Sequence, residues 1–423
     1  MSSLRDSFPA LRRVHNGQPV VYFDGPGGTQ VPEAVVGAME EYLFRHNANT
    51  HWAYPTSEET DALLLEARAV LAAFLNGRPS EIVFGQNMTT LTFHLARGLG
   101  RRWGPDDEIV ITELDHHANR APWEALAVER GVRIRMVPFD PANGELDWVA
   151  LERAMTSRTR LLAIGSASNA LGTMNDAAAA CALARAWGAL SFVDAVHSAP
   201  HALADVQATG CDFLACSPYK FYGPHLGVLW GREELLNGVD VPRLAPAPAE
   251  APQRLETGTL SHEGIVGAAA AVGFLADLSG TEGPLRRRLQ RTYEGLHEQG
   301  SAQVRRLWDG LAAIRGVRLY GPLPDRPRTP TVAFTLEGTG ATTVARRLAE
   351  RGIFVSHGDF YAATVIERLG LEPEGLVRAG CACYTTDEEI ESLLESVEGV
   401  AGSHGFTIAE SPQYPGSSRG RPN

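Results

Sequence analysis

Short apolar runs alternate with amphipathic helical stretches between about residue 20 and residue 235. The apolar runs have the length and composition of buried strands, and helical stretches such as 58–75 and 177–187 separate some of them. The predicted strands are 82–84, 108–111, 132–137, 160–165, Leu190–Asp194, Phe213–Cys216 and 227–230. This alternation predicts an α/β fold with a large, mostly parallel sheet covered by helices. Ligands of such sheets bind beyond the carboxyl ends of the strands, so the loops there are the first candidates for a functional site.

The pattern divides the chain into five predicted segments. Residues 1–20 form an arm that packs with the small domain and contains a short helical stretch and a turn at Asn16-Gly17. Residues 21–260 form the large domain, and 261–316 form connecting helices. Residues 317–402 form a smaller C-terminal α/β domain, from a strand at 317–320 to an acidic helix at 387–397. Residues 403–423 are polar and rich in proline and glycine, which predicts a disordered tail.

Composition narrows the class of protein. Of 423 residues, 44% are hydrophobic and 21% are charged, as in ordinary globular proteins. The net charge of -12 argues against a nucleic-acid partner or an anionic membrane surface. No apolar run is long enough for a membrane helix, and the N-terminus lacks the apolar core of a signal peptide, so we expect a cytoplasmic location. The five cysteines have no framework or zinc-binding spacing, which predicts neither disulfides nor a metal site.

Lys220 is the strongest single candidate for chemistry. It follows the apolar strand at 211–216 and lies in the aromatic segment SPYKFYGP. A charged lysine is a poor nucleophile, and apolar surroundings lower its pKa and suit it to Schiff-base chemistry. The alternative is a lysine whose stem covers aromatic rings while its ammonium group remains in water.

Three other strand ends carry polar side chains. Asp194 closes an apolar strand, where a carboxylate is costly unless it is paired, and a protonated pyridine nitrogen would pair it. Thr89 and Thr90 follow another strand and open a helix, an arrangement suited to a phosphate. His116 follows a third strand and could lie flat on an aromatic ring. The alternatives are helix caps for the aspartate and threonines and a solvent-exposed loop for the histidine.

Together these motifs resemble a known family. Their order is FDGPGGTQVP, NANTHW, NMTTLTF, ELDHHANRAPW, SASNALGT, FVDAVH, SPYKFYGP, ETGTLSHE and VRAGCACYTT. This order is similar to that of class V aminotransferase-fold (fold type I) pyridoxal-phosphate enzymes. The resemblance extends from about residue 20 to residue 400. It is especially marked for the cysteine desulfurase and selenocysteine lyase group and its relatives that lack the catalytic cysteine. It implies a pyridoxal 5'-phosphate cofactor and a homodimer with shared sites.

The resemblance also implies roles for single residues around the cofactor. Lys220 would carry the cofactor and move the substrate α-proton, Asp194 would pair with the pyridinium nitrogen, and His116 would stack on the ring. Asn169 and His197 would flank the ring hydroxyl, although the family usually has glutamine in place of the histidine. The phosphate would be bound by Thr89, Thr90, Ser217, Tyr219 and, from the neighbouring subunit, Thr259.

On the substrate side, the resemblance makes Arg378 the group that grips the substrate carboxylate, which suits its planar fork of donors. The remaining candidates for substrate contacts are Gly27, Gly28, His51, Trp52, Phe360 and Tyr361. Two segments depart from the family. The stretch that resembles its cysteine-bearing loop, R-x-G-H-H-C, reads SHGDFY here, so Tyr361 stands at the cysteine and Ser356 at the arginine. The family's H-R-G reads HWA at 51–53.

These departures shape the predicted activity. We predict a lyase that cleaves the C–S bond, or a similar Cβ–X bond, of an amino acid and forms no persulfide on the protein. We expect a bulky S-substituted cysteine as substrate, because aromatic residues replace polar ones near the site. Strand alternation turns Cys381 and Cys383 away from the face of Arg378. The alternatives are epimerisation, transamination, decarboxylation with oxidative deamination, and a non-catalytic protein that binds the cofactor.

Overall fold

The computed structural model describes residues 4–402. The predicted tail at 403–423 lies outside the described residues. The strands are β1 Val14–His15, β2 Gln18–Pro19, β3 Val21–Tyr22, β4 Ile82–Gly85, β5 Glu108–Thr112, β6 Arg133–Val137, β7 Phe139–Asp140, β8 Glu145–Leu146, β9 Thr159–Gly165, β10 Leu190–Asp194, β11 Phe213–Cys216, β12 Gly227–Gly231, β13 Val317–Tyr320, β14 Thr331–Leu336, β15 Ile353–Phe354, β16 Ser356–Gly358 and β17 Leu376–Gly380.

The α-helices surround these strands in the expected alternation. They are α1 Glu33–Glu41, α2 Pro55–Leu75, α3 Met88–Gly100, α4 Ala121–Arg130, α5 Trp148–Ala154, α6 Ala177–Ala186, α7 Val206–Thr209, α8 Glu233–Gly238, α9 His262–Asp277, α10 Leu285–Ala313, α11 Ala341–Glu350, α12 Ala363–Leu369 and α13 Asp387–Gly402. Short 3-10 turns lie at Leu4–Ser7, Pro9–Arg12, Pro79–Glu81, His117–Asn119, Pro218–Lys220 and Gln253–Leu255, and a π-helical turn lies at Tyr42–His46.

Seven strands form the large sheet, in the order β4-β12-β11-β10-β9-β5-β6. The pairs from β11 to β6 are parallel, whereas β12 is antiparallel to both of its neighbours. β5, β9 and β10 are buried along almost their whole length, as expected for a sheet covered by helices on both faces. The predicted large, mostly parallel sheet is confirmed.

The C-terminal part contains an antiparallel sheet in the order β13-β14-β17-β16. The N-terminal arm reaches this part of the molecule, because Arg5 forms an ion pair with Glu389 on α13. Strand β3, which directly follows the arm, pairs with β15. The arm has the predicted turn, with Asn16 and Gly17 at φ 50° and 77°. The five segment boundaries given above stay predictions.

Two helices, α9 and α10, occupy most of residues 261–316, with a break between Asp277 and Leu285 where Gly280 and Gly283 adopt positive φ. One expectation about local structure was wrong in detail. Strand β17 ends at Gly380, before the two neighbouring cysteines, so strict alternation does not continue to Cys383. Among residues 4–402, no helix has the length and apolarity needed to cross a membrane, and no cluster of three metal-binding side chains occurs.

Candidate cofactor and substrate site

The loops that follow β4, β5, β9, β10 and β11 meet at the carboxyl edge of the large sheet. They enclose a cavity of about 580 Å³, counted to its open mouth. The residues that line it are Asn87, Met88, Thr89, His116, Ala118, Gly165, Ala167, Asn169, Asp194, Val196, His197, Ser217, Tyr219 and Lys220. The structure thus brings together most of the residues predicted to bind the cofactor, although they come from segments up to 133 residues apart along the chain (Asn87 to Lys220).

Lys220 lies at the end of a 3-10 turn that directly follows β11. Its Nζ donates hydrogen bonds to the carbonyl oxygens of Pro26 and Gly27, the latter at 2.9 Å, and lies 4.8 Å from the ring centroid of Tyr219. Burial and the nearby charge of Arg378 lower the pKa of this amine to about 7. The amine is therefore available in its neutral, nucleophilic form near neutral pH.

Asp194 is the last residue of β10 and is 7% exposed. Its Oδ1 accepts a hydrogen bond from the backbone N–H of Val196 at 2.9 Å, and burial raises the pKa of the carboxyl to about 6. No lysine or arginine of the described chain forms an ion pair with it. The charge of Lys220 acts on this carboxylate and lowers its pKa, but less than burial raises it. A buried carboxylate with no cation in ion-pair contact favours a ligand that presents a protonated nitrogen.

His116 is positioned by the residue before it. Asp115 accepts hydrogen bonds from the backbone N–H of Gly165 at 2.6 Å and from the side chain of Asn119 at 3.0 Å, which joins the loop after β5 to the end of β9. The Nδ1 of His116 accepts from the N–H of Ala118. Burial, followed by the charge of Lys220, lowers the pKa of the His116 imidazole to about 4. The ring at the cavity wall is therefore neutral and suited to lie against an aromatic ring.

Asn169 and His197 form another side of the cavity. The side-chain amide of Asn169 donates to the carbonyl oxygen of Phe360 at 2.8 Å, while its buried Oδ1 has no hydrogen-bond partner. The Nε2 of His197 lies 3.1 Å from the hydroxyl of Thr329 and 3.4 Å from that of Thr331. The unpaired Oδ1 of Asn169 is a buried acceptor, which a ligand hydroxyl could satisfy.

The start of α3 lies at the opposite end of the cavity. Asn87 is its N-cap and lines the cavity together with Thr89 and Ser217. Free backbone N–H groups at a helix start, with hydroxyls beside them, suit a phosphate. Thr90 does not line this cavity. Its N–H and hydroxyl both donate to the Oδ1 of Asn87, at 2.8 and 2.6 Å, so it supports the cap instead.

Arg378 lies on β17, outside the cavity lining, and is 3% exposed. Its Nε and Nη2 donate to the hydroxyl of Ser356 at 3.2 and 3.0 Å, and its Nη1 donates to the carbonyl oxygen of Asn169 at 2.7 Å. Its Cζ lies 4.1 Å from the ring centroid of Phe360. A guanidinium group has five N–H donors, so these contacts leave two that could hold a carboxylate.

The segment of Phe360 and Tyr361 lies next to the site, in contact with Asn169 and His117. The carbonyl oxygen of Tyr361 accepts from the N–H of His117 at 2.8 Å, and the side chain of Asn169 holds the carbonyl oxygen of Phe360. The Tyr361 ring is 5.6 Å from that of His116 and 71% exposed. Both residues have positive φ, of 56° and 58°, which non-glycine residues adopt only when their surroundings hold them.

Besides Thr90 and Arg378, the predicted residues His51, Trp52 and Thr259 also lie outside the cavity lining in this single chain. His51 is exposed and pairs with Asp61 at 3.0 Å, and Trp52 is 60% exposed. Thr259 lines a separate cleft beside Thr90. The predicted contact of Thr259 with a neighbouring subunit stays a prediction.

Sequence reasoning missed Asp115 and Asn87. Asp115 is adjacent to His116, and Asn87 precedes the threonine pair, so their positions in the motifs were the only signals. It also missed Asp24, whose carboxylate approaches Arg378 from the loop after β3.

The residues present fit pyridoxal 5'-phosphate. The buried carboxylate of Asp194, which forms no ion pair with another described residue, suits a pyridinium nitrogen, and the unpaired oxygen of Asn169 suits a ring hydroxyl. The start of α3 suits the phosphate, and the neutral amine of Lys220 suits an aldehyde.

Comparisons with known proteins agree with this fit. Residues 21–393 match the family described as Aminotransferase class-V. A cysteine desulfurase from Klebsiella pneumoniae subsp. pneumoniae is 35% identical over 416 residues, which cover 95% of this chain and 98% of the relative. A probable cysteine desulfurase from Streptomyces coelicolor is 33% identical over 426 residues, with 95% and 97% covered.

Solved structures give the same result. The apo structure of a cysteine desulfurase from Thermococcus onnurineus has a TM-score of 0.85 and 29% identity, and covers 95% of this chain and 98% of that one. A cysteine desulfurase from Escherichia coli has a TM-score of 0.80 and 29% identity, with 94% and 98% covered. The chain therefore belongs to the aminotransferase class-V family. Its fold is the fold type I of that family, and its site fits the pyridoxal-phosphate cofactor.

Proposed function

We propose that the protein is a lyase that cleaves the C–S bond, or a similar Cβ–X bond, of an amino-acid substrate without forming a persulfide on the protein. The observation that carries the proposal is the contrast between a complete set of cofactor groups at the sheet edge and the absence of any cysteine from the cavity lining. All five cysteines of the chain are free and buried.

The cysteines are also poorly suited to react. Burial raises the pKa of every one of these thiols, to about 11 for Cys181 and to about 12 for Cys381 and Cys383. A thiol must ionise to attack sulfur, and burial in apolar surroundings prevents this. At the position that resembles the family's cysteine, the phenol of Tyr361 cannot accept sulfur as a persulfide. The substrate's sulfur would therefore leave as a free thiol.

The remaining groups support an elimination. Pyridoxal phosphate, when bound, withdraws electrons from the substrate Cα and makes its proton acidic. The Arg378 guanidinium would hold the substrate carboxylate and thereby orient the bond to be broken. Lys220 Nζ, once released, would take the proton from the substrate Cα. Asp194 would keep the ring nitrogen protonated, and neutral His116 would pack against the ring face.

The aromatic side chains of Phe360 and Tyr361 favour a substrate with a bulky, flat side chain. Asn169 and His117 hold the backbone of this segment, and its rings lie against Arg378 and beside His116, where they favour stacking and apolar contacts with the substrate. A small polar substrate such as free cysteine would leave this surface uncovered.

Product analysis tests the proposal. Purified enzyme is incubated with S-phenyl-L-cysteine, S-methyl-L-cysteine and L-cysteine, and thiol, sulfide, pyruvate and ammonia are measured together with the intact mass of the protein. We expect thiol, pyruvate and ammonia in equal amounts, a higher kcat/KM for the phenyl compound, and an unchanged protein mass. A gain of one sulfur on Cys381 or Cys383, lost together with turnover in the serine variant, would identify a persulfide-forming desulfurase. Release of the unchanged carbon skeleton as an epimer or keto acid would identify the alternative reactions.

We further propose a homodimer in which Thr259 of one subunit reaches the phosphate of the other. Thr259 is exposed on an open cleft that it shares with Thr90 and His225, beside the helix that would bind the phosphate. Sedimentation with and without Thr259→Ala tests this, because a monomer that retains cofactor and activity would contradict it. Five free cysteines also fit a reducing, cytoplasmic location.

A further inference from the structure

Asp24 lies beside the carboxylate-binding arginine without being properly paired. Its Oδ1 is 4.0 Å from the Nη2 of Arg378, within ion-pair range but too far for a hydrogen bond. That oxygen is buried and has no hydrogen-bond partner, although the side chain as a whole remains 47% exposed. This oxygen lies at the edge of a substrate site, where a bound ligand could donate the hydrogen bond that it lacks.

The loop is shaped to hold this carboxylate in place. A β-carbon at Gly27 would lie 2.5 Å from the Oδ1 and 2.8 Å from the Oδ2 of Asp24, so the carboxylate rests against a bare glycine. The same loop provides the carbonyl oxygens of Pro26 and Gly27 that accept from the Lys220 amine. The negative charge of Asp24 acts on both cations, because it raises the pKa of Lys220 and of Arg378 against the larger, opposing effect of burial.

We infer that Arg378 and Asp24 together bind the two charges of an amino-acid zwitterion, the arginine its carboxylate and the aspartate its α-ammonium group. This inference rests on the proposed action on an amino acid and adds a residue that selects for the amino group. Both charged groups of the substrate are attached to the same carbon, so they need partners of opposite sign close together, as Arg378 and Asp24 are. In the loaded enzyme the Lys220 amine is bound to the cofactor, which leaves Asp24 with a single neighbouring cation.

The charge arrangement also rejects other ligands. A carboxylate without an amino group, bound at Arg378, would place two anions beside one guanidinium group, which is unfavourable. An amino acid brings its own positive charge to Asp24 and avoids this repulsion. Asp24 therefore acts as a specificity residue at capture of the substrate, before any bond is broken.

The test compares matched pairs of ligands that differ only by the amino group. They are S-phenyl-L-cysteine with 3-(phenylthio)propanoate and L-alanine with propanoate. For the holoenzyme, apparent Kd values of the amino acids come from the change in cofactor absorbance, and Ki values of the acids come from competition with them. In Asp24→Asn we expect the Kd of both amino acids to rise about tenfold, because one charge-assisted hydrogen bond is lost at a half-exposed site. We expect the Ki of both acids to remain the same or to fall.

Two further variants distinguish recognition from support of Arg378. The new β-carbon of Gly27→Ala displaces the Asp24 carboxylate. This variant should therefore also raise the Kd of the amino acids without raising the Ki of the acids. Arg378→Gln should weaken all four ligands. The matched control is Asp359→Asn, which removes another negative charge near the site. The Asp359 carboxylate accepts a hydrogen bond from the Tyr361 N–H. This variant should change the Kd of the amino acids and the Ki of the acids by the same factor or not at all.

The outcomes separate this inference from the proposed lyase activity. If Asp24→Asn weakens acids and amino acids equally, Asp24 only holds Arg378 and the inference is wrong. If it changes neither, the inference is wrong while the activity stands. If the wild type forms no product from any S-substituted cysteine, but Asp24→Asn still weakens only the amino acids, the proposed activity is wrong and the inference stands.

Discussion

Burial has opposite consequences in two regions of this molecule. At the carboxyl edge of the large sheet, desolvation lowers the pKa of Lys220 to about 7 and makes its reactive neutral form abundant. Just beyond the end of β17, desolvation raises the pKa of Cys381 and Cys383 to about 12 and suppresses their reactive thiolate form. The same apolar surroundings thus activate an amine and silence a thiol. The difference lies in which ionisation state carries the reactivity.

Removing the activated amine should have the largest effect. We expect Lys220→Ala to lose the visible absorbance of lysine-bound cofactor and to reduce kcat by about 10²–10⁴-fold, because Lys220 is the group proposed both to attach the cofactor and to move the α-proton. Lys220→Arg is the control that keeps a positive charge but cannot attach the cofactor. Normal turnover by Lys220→Ala would show that the assignment of this lysine is wrong.

A cysteine introduced at an exposed position near the site should be reactive, unlike the buried native cysteines. Tyr361 is 71% exposed beside His116, so a cysteine there would remain solvated and ionise near its ordinary pKa. With L-cysteine as substrate, we expect Tyr361→Cys to gain the mass of one sulfur, which the wild type and Tyr361→Ser do not. If the wild type gains the same mass, a native cysteine already reacts and the contrast between the regions fails.

The pH dependence of cofactor attachment measures the activation directly. The folded-state pKa of Lys220 is lowered, so its neutral fraction should rise from about one tenth at pH 6 to about nine tenths at pH 8. We expect the rate at which pyridoxal phosphate reloads the cofactor-free protein, followed by absorbance, to rise in this range. Arg378→Gln removes a charge that lowers this pKa and should move the midpoint to higher pH.

The control for that shift is Arg318→Gln, which removes an exposed charge on β13 of the small sheet. Its midpoint should match the wild type. A wild-type midpoint near the ordinary pKa of lysine would mean that burial does not activate Lys220.

Substitution of the buried, unreactive cysteines Cys381 and Cys383 should have the smallest effect on turnover. Cys381 and Cys383 are 1% and 6% exposed and pack in two different parts of the core. We expect each alanine variant to lower the free energy of unfolding by about 1–2 kcal/mol, measured with urea, and to leave kcat/KM unchanged. Loss of turnover without loss of stability would give these thiols a chemical role.

Sequence alone determined the order of strands and helices along the chain and the mostly parallel sheet, because these properties depend on local patterns. The family resemblance in the sequence added the cofactor class and the remaining predicted lining residues Asn169, His197, Ser217 and Tyr219. A strand end is visible in an apolar run, and the residue after it must lie at the carboxyl edge of the sheet. Lys220, Asp194, His116 and Thr89 could therefore be predicted by their place in the chain, without knowledge of their distances.

Only the tertiary structure decided how distant segments meet. It joined Asp24 to Arg378 and set Phe360 over the guanidinium, contacts between residues far apart in the chain. It also ended β17 at Gly380 and turned Thr90 into support for a helix cap. Burial and the distances between charges sum contributions from the whole fold, so no local pattern contains them. For the same reason the pKa values that separate the reactive lysine from the silent cysteines could be read only from the folded chain.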